Sequence, residues 1–450
     1  MKVSSIVITL LLLYLSLPVS AQQQANAEPM KFSLNEAKQY AMQNSPILLN
    51  SARDVEIAKK KIWETTATGL PQAELTGSYS YSPKLAGLTD LFTGGDTSGG
   101  GGSPFGFEIN PDDLKKSFFM DVQVSQLIFS GQYIVGLQAS KAYANMSKLA
   151  ESKSKVDLVE TISNVYFEAL VNRSTKRTLD STLAVVEKTY HQTEQLYKTG
   201  FAESTDVDQL KIQILNIKSS LTFQMRRIEF TEKLLKYHMG LSIDQEIELT
   251  DDINGLIQLM ELETATIDSL RINDNIDYQL LTTTEKLSKL NLKLQKSNFL
   301  PTVAGFYNRH EDFDNNFFND QSPDMVGLSL RFTILSSGQR LSQVGQAKLE
   351  YMKAQTNTKM FSEMLLIQYE TMLASYLSAR DVFNMQKENR DLSYRVYLKS
   401  ITKFQEGVGS SLDMNQAQSQ YFTAESNYYG ALMTLVTTRS NLENLLSKNN

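Results

Sequence analysis

The run Gln72-Ala73-Glu74-Leu75-Thr76-Gly77-Ser78-Tyr79-Ser80-Tyr81 alternates without a slip. Ala73, Leu75, Gly77, Tyr79 and Tyr81 fall on one side, and Gln72, Glu74, Thr76, Ser78 and Ser80 on the other. Successive side chains of a strand point to opposite faces, so the run reads as a strand with one apolar and one wet face. Residues 118–128 repeat the pattern, with Met120, Val122 and Val124 set against Asp121, Gln123 and Ser125. Further along, Val326, Leu328, Leu330 and Phe332 alternate with Gly327, Ser329 and Arg331, and 303–307 is a weaker partner.

What surrounds these strands occurs twice. A 207-residue offset separates Gly131-Gln132 from Gly338-Gln339, Gly200 from Gly407, Ser204 from Ser411 and Asp206 from Asp413. Upstream, Leu70-Pro71 matches Leu300-Pro301 at an offset of 230, so the first copy carries an insertion of 23 residues. The insertion falls around the glycine run 94–102, which lacks the lysine and Ser/Thr of a phosphate-binding loop and reads as a surface loop. Repeats govern the whole reading. Each half runs helix, strand, loop, strand, long helix, tight turn, helix.

Ser33, with Glu36 three residues on, is a helix N-cap signature. The helix runs towards Trp63 with an irregularity at Pro46, and Pro71 ends it. From Gln132 to Thr199 there are 68 positions without proline, about 100 Å of helix at 1.5 Å per residue. Val156, Val159, Ile162, Tyr166 and Leu170, and in the second copy Tyr369, Met372, Leu373 and Tyr376, give three- and four-residue apolar spacing. Helices this long must lie along other helices, as in a coiled coil. The shorter helices 34–69 and 203–240, stacked end to end, match one long helix in length.

The expected organisation is a signal peptide at 1–21, a first structural repeat at 22–240, an irregular belt at 241–263 and a second repeat at 264–450. The first repeat holds strands 72–82 and 117–129 and helices 132–199 and 203–240. The second holds strands 301–308 and 324–334 and helices 339–406 and 410–447. The leader is read from Lys2, an apolar run 6–17, Pro18 and the small-residue site Val19-Ser20-Ala21. The apolar run is too short to span ~30 Å of hydrocarbon, and no cysteine follows it to carry a lipid.

Composition narrows the function. A net charge of −6 leaves no basic excess to meet phosphates, so no nucleic-acid partner is expected. The absence of cysteine excludes disulfides, thiolate metal sites and thiol catalysis. His191, His238 and His310 are too far apart in sequence to share a helix face as ligands. No cofactor and no enzymatic activity are expected.

An exported chain without a membrane helix is either soluble beyond the inner membrane or built as a β-barrel. Four strands cannot close a barrel, since membrane barrels need about eight. If these strands span a membrane, the chain must therefore oligomerise. Tyr79, Tyr81, Phe118, Phe119, Phe306 and Tyr307 cluster at strand ends, as do Phe105, Phe107, Phe317 and Phe318 in the loops, the placement of interfacial girdles.

Leu70-Pro71 and Leu300-Pro301 precede the strands, and Gly131-Gln132 and Gly338-Gln339 follow them. A twofold turn then carries Tyr197, Gly200, Ser204 and Asp206, and again Phe404, Gly407, Ser411 and Asp413. In this duplicated order, over nearly the whole mature chain, the sequence resembles the TolC family of outer-membrane efflux channels, the outer membrane factors of tripartite pumps. The resemblance implies a mostly α protein with membrane β-structure: a homotrimer whose twelve-stranded β-barrel in outer-membrane lipid continues into a twelve-helix coiled-coil tunnel across the periplasm. It also implies a periplasmic adaptor (membrane fusion) protein and an inner-membrane pump of the RND or ABC type as partners, in efflux or type I secretion.

Two turns are the leading functional candidates. Gly200 and Gly407 let the chain leave a helix through positive φ, and Ser204 and Ser411 read as N-caps of the returning helices. Asp206 and Asp413 then lie in the first turns, where a carboxylate stabilises the helix dipole. By the resemblance these turns form the periplasmic gate, closed in the family by carboxylates, an arginine and a tyrosine. Asp206 and Asp413 match that pattern. Phe404 stands at the tyrosine position, Gly409 at the arginine and Gln416 at a second aspartate, so an acidic ring is implied without the full ionic latch. His310-Glu311-Asp312 with Asp314, Asp320 and Asp324 reads as a solvated external loop. Two rivals, a periplasmic coiled-coil adaptor or scaffold of an export system and an exported helical enzyme, would lack the paired amphipathic strands or the axial conduit.

Overall fold

The computed structural model describes residues 29–81, 116–263, 269–313 and 323–447. The leader, the glycine run 94–102, Phe105, Phe107, Phe317, Phe318, Asp314 and Asp320 lie outside the described residues. In chain order the elements are β1 (Met30–Phe32), α1 (Leu34–Asn44), α2 (Pro46–Ala67), β2 (Gln72–Tyr81), β3 (Lys116–Ser130), α3 (Gly131–Lys198) and α4 (Ser204–Met239). There follow β4 (Ile247–Leu249), α5 (Ile253–Glu263), α6 (Ile276–Ser297), β5 (Thr302–Asp312), β6 (Asp324–Arg331), α7 (Gln339–Gln405) and α8 (Ser411–Leu446). The described residues form two compact units, one within Met1–Ser45, Ile162–Ala265 and Lys403–Leu412, the other within Pro46–Thr161, Thr266–Thr402 and Asp413–Asn450.

In the first unit Ser33 and Glu36 form a reciprocal capping box at the start of α1. The chain breaks at Ser45, and Pro46 opens α2, where its missing N–H costs nothing. The segment expected to be an irregular belt is partly ordered into regular structure. Its β4 pairs in parallel with β1, Phe32 opposite Leu249, and α5 follows. The Tyr166 hydroxyl, on α3, donates to Phe32 O at 2.9 Å and lies 3.1 Å from Asp251 Oδ2, which also accepts from Leu34 N–H at 2.6 Å. Burial, reinforced by the Asp251 carboxylate, raises the Tyr166 phenol well above its ordinary range and keeps it a donor.

The lower part of α3 and α4 form an antiparallel hairpin with a seven-residue seam. Leu210, Ile217, Gln224 and Thr231 recur at that interval and are buried. Gln224 Nε2 donates at 2.9 Å to both the carbonyl and the side-chain oxygen of Asn172, a polar pair that fixes register on the seam. Arg173–Glu232 at 2.6 Å and Arg227–Glu168 at 3.1 Å flank it.

In the second unit α8 shows the same repeat more fully. Met414, Tyr421, Tyr428, Leu435 and Leu442 are buried at intervals of seven, as are Ala417, Ala424 and Ala431. Large and small residues thus alternate along a coiled-coil seam, and a strict seven-residue period imposes a left-handed supercoil. Arg390, on α7, lies 4.2 Å from the Tyr428 ring centroid, and Tyr397 stacks on Tyr421 at 5.6 Å. Asn275 caps α6 through Tyr278 N–H and donates to Leu445 O at 2.9 Å, tying the end of α8 down.

The sheet of this unit is antiparallel in the order β2-β3-β5-β6, so among the described residues β2 and β6 are its open edges. Registers preserve the alternation: Ala73 lies opposite Val124, Val124 opposite Tyr307, and Tyr307 opposite Val326. A bulge between Leu127 and Phe129 accommodates one extra residue.

Two strand boundaries differ from expectation. β5 continues to Asp312, so His310, Glu311 and Asp312 are strand and not external loop. β6 ends at Arg331 and not at 334, because Arg331 pairs with Thr302, the first residue of β5, and among the described residues no strand pairs with 332–334. Among the described residues no helix is long and apolar enough to cross a membrane.

Candidate functional site

Both turns end their incoming helix in one geometry. Gly200 (φ +82°) donates to Tyr197 O and Phe201 to Leu196 O, while Gly407 (φ +77°) donates to Phe404 O and Val408 to Lys403 O. This pair of bonds around a left-handed residue is the Schellman arrangement, which satisfies carbonyls that the helix end would leave open. It places Phe201 and Val408 outermost, 82% and 74% exposed. Sequence reading passed over these two apolar residues, since nothing in the pattern distinguishes them from the helix residues before them.

The returning helices start differently from expectation. α4 begins at Ser204 itself, with Glu203 at the N-cap position and no side-chain cap bond. Ser411 is likewise the first residue of α8 and not its cap. Its hydroxyl donates to Asp206 Oδ1 and is buried, so the start of α8 is joined to the first turn of α4. Asp206 and Asp413 both occupy first turns. Gly409 is confined: a Cβ there would lie 3.0 Å from Lys403 Cβ and 3.1 Å from Phe404 N. Phe404 is half-buried, and Gln416, on α8, is exposed.

On the sheet, the register divides the six expected girdle aromatics. Tyr79, Tyr81, Phe118 and Tyr307 share the apolar face with Leu75, Val122, Val124 and Val326. Phe119 and Phe306 fall on the opposite face, with Asp121, Gln123 and Ser125. Leu75, Tyr79, Val326, Leu328 and Leu330 are exposed, so among the described residues nothing covers the apolar face. A row of large exposed apolar residues marks a surface for lipid or a partner.

Charges bound this face at the loop end. Arg309 Nε donates to Glu311 Oε1 at 2.9 Å, and the Tyr307 hydroxyl donates to Asp324 at 2.6 Å. On the other face His310 Nδ1 lies 2.7 Å from Asp121 Oδ1. His310 and Glu311 thus point to opposite faces and do not form one site. The two-residue spacing of Arg309 and Glu311 carries that signal, but only once β5 is known to extend so far.

Over residues 38–222 and 286–448 the sequence matches the family described as outer membrane efflux protein. No curated protein matches it. Among solved structures, the outer membrane protein VceC of Vibrio cholerae is 15% identical with a TM-score of 0.70, the match covering 92% of this chain and 96% of VceC. The outer membrane channel CmeC of Campylobacter jejuni is 14% identical at a TM-score of 0.70, over 92% of this chain and 85% of CmeC. The Neisseria gonorrhoeae outer membrane channel MtrE, in its open state, is 15% identical at 0.66, over 92% and 88%. These likenesses establish the TolC-type fold, a duplicated strand-and-helix plan. With well over half its length inside the family match, the chain is a transport protein of the outer membrane and belongs to the outer membrane efflux protein family.

Proposed function

We propose that three copies of this chain form the outer-membrane exit duct of a tripartite efflux or type I secretion system, with no catalytic role of its own. One observation carries this reading: a four-stranded antiparallel sheet with two open edges and one exposed apolar face. Unpaired backbone groups cost several kcal/mol each in hydrocarbon, so the sheet is viable in lipid only when its edges are closed. Three copies supply twelve strands, enough for an open lumen. Tyr79, Tyr81, Phe118 and Tyr307 form the outer girdle, and Phe119 and Phe306 face the lumen. A leader is removed after Ala21, and repeats 22–240 and 264–450, joined by 241–263, supply equivalent strand pairs and helices. Substrates arrive from an inner-membrane pump through a periplasmic adaptor, and the turns bearing Asp206, Phe404, Gly409, Asp413 and Gln416 form the closable inner end. Mass measurement of the detergent-solubilised protein tests the assembly. Three copies are expected; a stable monomer or dimer with full strand content overturns it.

A further inference from the structure

We propose that assembly extends β6 through Phe332 and Thr333, and that Asp324–Thr333 then pairs antiparallel with Gln72–Tyr81 of the next copy, Gln72 opposite Thr333 and Tyr81 opposite Asp324. The inference rests on the closure by copies proposed above and specifies its seam. The free edge of β6 is already directed. His310 N–H donates to Pro323 O at 2.8 Å, so odd-numbered residues of β6 bond to β5. By the alternation of an antiparallel ladder, the backbone groups of Val326, Leu328 and Leu330 face the open side. The apolar alternation does not stop at Arg331: Phe332 and Ile334 continue it, and Ile334 is 87% exposed.

Register across the seam is constrained three ways. Within the chain one row joins Gln72, Ser125, Phe306 and Gly327. Closing the sheet requires the next copy's Gln72 to slip along β6 from Gly327, and only an even slip keeps both apolar faces outward. With strands ~4.8 Å apart and ~3.3 Å per residue, slips of four, six and eight residues tilt the strands by about 35°, 45° and 54°, and barrels lie near 35–45°. A slip of four sets Ser80 and Tyr81 opposite 323 and 322, beyond the start of β6, and leaves Phe332 unpaired in lipid. A slip of six uses all ten residues of β2 and places Leu75 against Leu330 and Gly77 against Leu328. Pro71 and Pro323 then bound the ladder at its two ends.

Because the chain has no cysteine, introduced pairs give an unambiguous reading. Ser329→Cys with Thr76→Cys would be directly opposite on the lumen face, a non-hydrogen-bonded pair with Cα atoms ~4.5 Å apart, within disulfide reach. On oxidation, non-reducing denaturing gels should show covalent dimers and trimers. Ser329→Cys with Glu74→Cys or with Ser78→Cys should link at least tenfold less. Met325→Cys with Ser80→Cys, opposite in the same register, should link as well as the first pair. Dominant linkage through Glu74→Cys or Ser78→Cys overturns the register while leaving closure intact. A preparation that is trimeric by mass but links in no register overturns the seam. A single-copy mass overturns the closure itself.

Discussion

The Ser411 hydroxyl donates a hydrogen bond to the Asp206 carboxylate, joining the first residue of α8 to the first turn of α4. An arginine and a tyrosine would serve this role by the resemblance, but here Gly409 and Phe404 stand in their places. This join is a hydrogen bond to a carboxylate, worth about 1.5–3 kcal/mol. If it holds the inner end shut, Ser411→Ala should raise the open fraction of reconstituted channels about tenfold or more, and Ser411→Thr should restore closure. Unchanged closed-state leak in Ser411→Ala, with helix content preserved, would mean the bond only orders the turn.

Gly407 and Gly409 should fail for different reasons when replaced. At Gly407 no atom lies within 4 Å of a new Cβ, so the penalty of Gly407→Ala comes from φ +77° alone. A left-handed L-residue costs about 1–2 kcal/mol, which should appear as faster proteolytic nicking at the α7–α8 turn. Gly409→Arg would introduce the arginine that the resemblance implies at this position, but its Cβ meets Lys403 Cβ at 3.0 Å and the neighbouring backbone must give way. Channel recording of Gly409→Arg should show a disturbed closed state and not a tighter one. A tighter closure would mean that the turn relaxes freely around the new side chain.

Facing residues on the sheet should respond in opposite ways to charge. Tyr79 and Val124 lie on the apolar face of adjacent strands, while Ser78 and Gln123 lie on the other. Tyr79→Arg and Val124→Arg should hinder membrane assembly by about 2–4 kcal/mol at mid-bilayer and less near an interface. Heat-modifiable trimer yield is the readout, with Ser78→Arg and Gln123→Arg as the tolerated pair. Equal yields from all four variants would place both faces in the same medium.

These contrasts were legible because two periodicities are strong. The two-residue alternation of Gln72–Tyr81 and the apolar spacing along the long helices survive in a single sequence. The β1–β4 pair was not legible, since three-residue strands show no period and Phe32 finds Leu249 only after the chain has returned. The charges of His310, Glu311 and Asp312 disguised the outer third of β5 as loop. The end of β6 differs for another reason: its apolar pattern reaches Ile334, but among the described residues its pairing with β5 stops at Arg331 opposite Thr302. At the turns, Ser411 was assigned as a cap from residue type alone. Its bond to Asp206 arises only when the two turns come side by side.

In the proposed threefold assembly Asp413, in the first turn of α8, would recur three times around one axis. Carboxylates gathered at a narrow mouth attract cations, and polyvalent ones most strongly. The channel should therefore prefer cations and be blocked by a trivalent cobalt ammine complex added from the periplasmic side. Asp413→Ala should lower both cation preference and trivalent affinity, and Asp206→Ala should have a smaller effect on block if its carboxylate is engaged by Ser411. Single-channel recording of both variants decides the matter. If selectivity and block persist unchanged in each, the two carboxylates serve the helix dipoles, worth about 0.3–1 kcal/mol apiece, and closure rests on the packing around Phe404.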